Sequence, residues 1–235
     1  MYYDFSKWID EDSYVSGFDI IDLSEMICEN TEVPGEKGYS DPDTQFKQFK
    51  TGTWVDLNIK PYYITKIVMG AHVGTHIDAP MHAVEGGVSV DKIANEYIAP
   101  VVIIEANQQL NSDILATKLL KVNKESIVFI RGKSNYKMPN EFRQEIIRKS
   151  PRLVIFADCV NVDGVEDTIK YLENNIPMIM GVNQRASNKL DDGDIIFALP
   201  IKFKGIEAAP VRLFAAKLKL EKKNTLDNDM SIFTL

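Results

Sequence analysis

The chain has 235 residues, 27 Lys and Arg against 34 Asp and Glu, and a formal net charge of −7 at pH 7, with 45% hydrophobic and 26% charged residues. That composition suits a domain with an ample core and excludes disorder, which needs far fewer apolar residues. No apolar run reaches the roughly 18 residues of a membrane helix, and the negative balance argues against nucleic acid, whose phosphates need clustered Lys and Arg.

Residues 1–18 read as an N-terminal extension, helical around Phe5–Glu11, ahead of a single domain at 19–235. The acidic, aromatic start lacks the basic and apolar parts of a signal peptide. With Cys28 and Cys159 far apart, we expect reduced thiols and a cytoplasmic protein. Phe18–Leu23 is a strand. Residues 30–53, rich in Gly, Pro, Asp, Thr and Lys, form a long excursion outside the core. Tyr62–Met69 is β-branched and aromatic, a strand that leads into the histidine-rich segment. Pro100–Glu105, Ile127–Ile130 and Leu153–Ala157 are continuous apolar runs, as in strands buried on both faces.

Helices are expected at Ser112–Leu120, capped by Asn111 or Ser112, at Asn140–Lys149, with Phe142, Ile146 and Ile147 at helical spacing, and at Glu166–Asn174. Strands follow at Ile176–Met180, Asp194–Ala198 and Val211–Lys219. The sum is a mixed α/β protein with several short buried strands and few helices.

The chain has only three histidines, His72, His76 and His82, and all fall in one eleven-residue window, HVGTHIDAPMH. A helix would align His72 with His76 but turn Asp78 away by about 240° from His72, and Gly74 and Pro80 disfavour one. An extended chain puts His72, His76, Asp78 and His82 on one face. A straight strand would hold His72 and His76 roughly 13 Å apart, so we expect a bend at Gly74 that wraps the chain around an ion. Two imidazoles and a carboxylate suit Zn²⁺, Mn²⁺ or Fe²⁺ and leave coordination positions open. His82, beyond Pro80, is placed for general acid–base work.

The pattern His-x-Gly-Thr-His-x-Asp-x-Pro-x-His resembles the signature of the cyclase family of metal-dependent hydrolases, which includes bacterial kynurenine formamidase and isatin hydrolase. Softer likenesses extend through Asp22-Leu23-Ser24, Glu85-Gly86-Gly87, Val90-Asp91-Lys92-Ile93, Leu153–Asp163 and Ala209-Pro210-Val211-Arg212. The resemblance implies a swivelling β/β/α domain with a mixed sheet, assembled as a homodimer or homotetramer. It implies His72, His76 and Asp78 as ligands of one divalent metal, Zn²⁺ or Mn²⁺, and His82 as the proton-transfer group. Two-metal formamidases carry a further His and Glu, and alignment on Ile176-Pro177 puts Thr168 and Met180 there. The usual second metal site is therefore not expected.

The implied activity is hydrolysis of a small amide, ester or lactone, arylformamidase-like. A non-hydrolytic cyclase, dehydratase or isomerase and a non-catalytic ligand-binding protein are the alternatives. Trp54, at the end of the long excursion, is the best candidate among Trp8, Trp54, Tyr62 and Tyr63 to line a substrate pocket. Arg212 is a candidate for a substrate carboxylate or for a structural ion pair. Asp158 and Asp163 could support the site or terminate turns.

Overall fold

A computed structural model describes residues 18–28, 31, 49–55, 58, 60–132, 137–157 and 165–218. The expected helix at Phe5–Glu11, the proposed extension and Asp158, Cys159 and Asp163 lie outside the described residues.

The parallel heart of the sheet consists of β5 (Tyr97–Ala106), β6 (Ile127–Gly132), β7 (Leu153–Ala157) and β8 (Met178–Val182), side by side in that order. Parallel neighbours need a crossover rather than a tight turn. The chain supplies α1 (Ser112–Leu119), α2 (Asn140–Lys149) and α3 (Val165–Glu173) between them. These are the three expected helices. Asn111 caps α1, its side chain accepting from the backbone N–H of Asp113 and Ile114. Val128, Ile130, Val154 and Ile155 are fully buried, as their uninterrupted apolar runs required.

The antiparallel remainder closes the sheet. β4 (His76–Asp78) lies between β8 and β10 (Ala208–Leu218), and β9 (Ile195–Pro200) pairs with both β10 and β5. Strands β10-β4-β8-β7-β6-β5-β9 thus form a ring, with β1 (Phe18–Asp22) added to the C-terminal half of β10. β4, only three residues long, is bonded on both edges and fully buried.

Four expectations need correction. The excursion at 30–53 is not structureless to its end, because β2 (Phe49–Val55) pairs with β3 (Ile64–Met69) in a separate two-stranded sheet. Its polar Thr51-Gly52-Thr53 stretch is exposed, so it shows none of the apolar signal of a core strand. The strand predicted at Ile176–Met180 is displaced to Met178–Val182, running on through Gly181, which adopts φ +69°. A short helix, α4 (Gln184–Ser187), was not anticipated; it is capped by the Asn183 side chain. Finally, the histidine segment is not one bent strand. Residues 71–75 form turns, β4 follows, and Pro80–His82 make a single 3₁₀ turn.

Candidate metal centre

Two bends, not one, gather the histidines. The first lies at Gly74, whose φ of +69° falls in the left-handed region that side chains resist. A Cβ there would also meet Ile27 Cγ1 at 2.8 Å. The second bend is the 3₁₀ turn, started by Pro80 and closed by the His82 N–H donating to Ala79 O at 2.9 Å. Gly87 packs against this turn so closely that a Cβ would lie 2.8 Å from Met81 N and Pro80 C. α3 also lies against this turn.

Thr75 ties the segment down. Its buried hydroxyl donates to Gly181 O and accepts from Glu25 N–H, and its carbonyl accepts from Val211 N–H at 3.0 Å. The motif threonine therefore joins β8, β10 and the stretch after β1 at the mouth of β4.

His76 and Asp78 project from the same face of β4. The His76 Nδ1 lies 2.9 Å from the Gly74 carbonyl. A carbonyl can only accept, so Nδ1 carries the ring proton and Nε2 presents its lone pair. That Nε2 is 3.5 Å from Asp78 Oδ1, and His72 Nδ1 is 3.0 Å from the same oxygen. Neither approach has hydrogen-bond geometry, so Asp78 Oδ1 is buried with no hydrogen-bond partner among the described residues. The His72 ring centroid is 5.0 Å from that of His76 and 4.6 Å from that of His82. Ligand atoms of His72, Asp78 and His82 all fall within 4.8 Å of one another, a set that could hold a metal ion.

The arrangement fits a cation. A buried carboxylate oxygen without a hydrogen bond is costly, by several kcal/mol in general. Two ligand atoms each about 2.0–2.1 Å from one tetrahedral ion lie roughly 3.3–3.4 Å apart. The observed 3.0 and 3.5 Å bracket that spacing.

The electrostatics agree. Burial pushes the His76 pKa down despite the attraction of Asp78, and so favours the neutral ring. Burial alone would raise the Asp78 carboxyl, but His76, His72 and His82 outweigh it and hold the group below its ordinary value. Burial also opposes charge on His72, yet the carboxylates of Asp78 and Glu207 beside it raise its pKa above 6.5.

All four motif residues are thus brought together. His82 falls in the mutually close trio; His76 does not, although its Nε2 faces Asp78 from the buried side. Met180, at the formamidase Glu position, pairs directly with His76, and Thr168 lies in α3. Trp54 lies in β2, and its side chain is outside the described residues. Both terminal nitrogens of Arg212 are engaged by Asp22, at 2.5 and 2.8 Å, which is the structural ion pair of the two readings. The group that sequence reasoning missed is Glu207, whose Oε1 lies 3.3 Å from His72 Nε2. It is 135 positions from that histidine, and no local pattern marks it.

Comparison with known proteins shows what the chain resembles. The Cyclase family model matches residues 21–168. A kynurenine formamidase of Bacillus cereus is 32% identical over 169 residues, covering 63% of this chain and 78% of that protein. An uncharacterised protein of Methanocaldococcus jannaschii is 26% identical over 212 residues, covering 84% of this chain and 98% of that one. Among solved structures, an isatin hydrolase bound to the product analogue thioisatinate aligns with a TM-score of 0.64 at 17% identity, over 86% of this chain and 94% of that chain. An isatin hydrolase A from Ralstonia solanacearum aligns with a TM-score of 0.64 at 19% identity, over 85% and 92%. At such identities the structural matches establish the fold.

Proposed function

The chain belongs to the cyclase family, and on that premise we propose that it is a metal-dependent hydrolase of a small amide, ester or lactone, with aryl formamides as the first substrates to try. The observation that carries the reading is Asp78 Oδ1, a buried carboxylate oxygen without a hydrogen bond, approached by two imidazole nitrogens at ion-sharing distances. His72, His76 and Asp78 would hold the ion. A divalent cation such as Zn²⁺ or Mn²⁺, when bound, supplies a Lewis acid for the substrate carbonyl and lowers the pKa of a water towards about 7. His82 is exposed at the end of the 3₁₀ turn, beside His72, where its ring can exchange protons with solvent. It takes a proton from the attacking water and returns it to the leaving nitrogen or oxygen. Met180 beside His76 offers no hard ligand, which favours one ion over two.

The test is turnover of an aryl formamide, ester and lactone panel by the full chain with added Zn²⁺ or Mn²⁺, with product mass as the readout. Metal-stimulated gain of one water per turnover is the expected result. A product of unchanged mass would point to ring closure or isomerisation. Tight metal binding without turnover on any substrate would point to a ligand-binding protein.

Metal affinity is expected to depend on pH through His72. Its metal-free pKa is raised above 6.5, and a cation must displace the proton from the nitrogen it takes. Affinity should therefore be level at high pH and fall about tenfold per unit once the pH drops below that pKa. The loss should begin above pH 6.5, as isothermal titration across pH 6 to 9 would show, in roughly half-unit steps. A pH-independent Kd would remove His72 from the ligand set.

A further inference from the structure

We infer that Glu207 is a positioning residue of the metal centre, holding His72 through Nε2 so that Nδ1 faces Asp78. This rests on the metal-site reading above and adds a residue to it.

His72 stands between two carboxylates. Asp78 Oδ1 is nearer, 3.0 Å from Nδ1, but lacks hydrogen-bond geometry, whereas Glu207 Oε1 at 3.3 Å from Nε2 has it. A carboxylate oxygen accepts, so Nε2 carries the proton and the lone pair of the neutral ring falls on Nδ1. His76 shows the same design with the nitrogens exchanged. There the Gly74 carbonyl takes the outward N–H and Nε2 is left towards Asp78. Each imidazole thus has one nitrogen tied away from the centre and the other aimed at the same oxygen. A ring N–H bonded to a carboxylate is also the more basic ligand, and such partners set ring orientation and metal affinity.

The backbone around Glu207 is fixed from several sides, which a chance surface contact would not require. Its carbonyl accepts from Ala79 N–H at 2.8 Å. The preceding Ile206 carbonyl accepts from Val90 N–H at 2.9 Å. Gly205 N–H donates to the Asp91 carboxylate at 2.9 Å, and Ser89 Oγ donates to the same oxygen at 2.6 Å. The following residue, Ala208, is the cross-strand partner of Asp78 itself. Glu207 is therefore held in register with the buried carboxylate it complements, while its own side chain stays part-exposed.

Two measurements on the full chain test this, with Glu207→Ala and Glu207→Gln. The first needs no metal. Long-range ¹H–¹⁵N spectra of the metal-free protein, recorded well above the His72 pKa, report which ring nitrogen carries the proton. With only three histidines, assignment is tractable. Wild type and Glu207→Gln, which keeps an acceptor oxygen, should show His72 protonated at Nε2; Glu207→Ala should show mixed tautomers. The second is Mn²⁺ and Zn²⁺ affinity by isothermal titration, where Glu207→Ala should weaken binding about 10–100-fold and Glu207→Gln should restore most of it. A wild-type His72 protonated at Nδ1, or a Glu207→Ala protein with wild-type affinity, would overturn the proposal. If Nε2 carries the proton and wild type binds no metal, the metal reading fails while the hold on His72 stands.

Discussion

Asp78→Asn should abolish metal binding and, in the metal-free protein, give up the modest stability that the ionised carboxylate draws from its histidine neighbours. The two halves have one cause. Asp78 is almost wholly buried, its Oδ1 has no hydrogen bond, and imidazole nitrogens face it at 3.0 and 3.5 Å. A cation between these atoms removes the cost of that arrangement, and without one the carboxylate depends on positive charge from neighbouring histidines. Replacing it by an amide of the same shape removes the buried charge and gives the facing lone pairs an N–H donor. The variant also gives up the attraction that holds the Asp78 carboxyl below its ordinary value, a loss partly offset by no longer desolvating a charge. Losing the charged ligand is another matter, because removing one partner of a buried pair costs about 3–5 kcal/mol. Metal affinity should fall by about 10²–10³-fold or more.

Thermal unfolding separates the two effects. At about 100 times the Kd, bound metal adds about 2.7 kcal/mol, which for a domain of this size raises Tm by about 5–10 °C. The Asn variant should show no such rise at the same metal concentration and a modestly lower metal-free Tm. A general folding defect lowers both curves together. An Asn variant that binds Zn²⁺ or Mn²⁺ like wild type would end the assignment of Asp78 as a ligand.

The residues that form this site could be named from the chain because composition singled them out. The path by which they meet could not. The alternation of His72, His76, Asp78 and His82 suggested one extended strand, but only His76 and Asp78 share β4. His72 arrives from the turn before Gly74 and His82 from the 3₁₀ turn after Pro80. Gly74 was legible as a bend because few residues tolerate its conformation. The Pro80 turn was not, since proline suits an extended chain as well as a first helical turn. The same contrast runs through the fold. Ile127–Ile130 and Leu153–Ala157 announce themselves because strands buried on both faces need unbroken apolar runs. β2 does not, because it is half of a hairpin outside the main sheet and its Thr51-Gly52-Thr53 stretch faces solvent. Glu207 lies beyond any local reading: long-range register, Ala208 against Asp78, brings it to His72.

His82→Ala should divide the two roles open to that residue. Its ring nitrogens lie close enough to His72 and Asp78 to reach a shared ion, and its side chain is exposed where a proton shuttle needs solvent. The surroundings favour the shuttle. The oxygen that lacks a partner is already approached by His72 and His76, and those two rings have their outward nitrogens held by Glu207 and Gly74. No hydrogen bond fixes a His82 ring nitrogen in that manner among those described, so its ring can turn between a water and a leaving group. As the acid–base group, its loss should cost about 10²–10⁴-fold in kcat/KM, with metal affinity changed by less than about tenfold. Because the position is exposed, added imidazole should return part of the lost rate. If metal affinity instead falls in step with activity, and imidazole restores both or neither, His82 is a ligand and the proton must travel by another group.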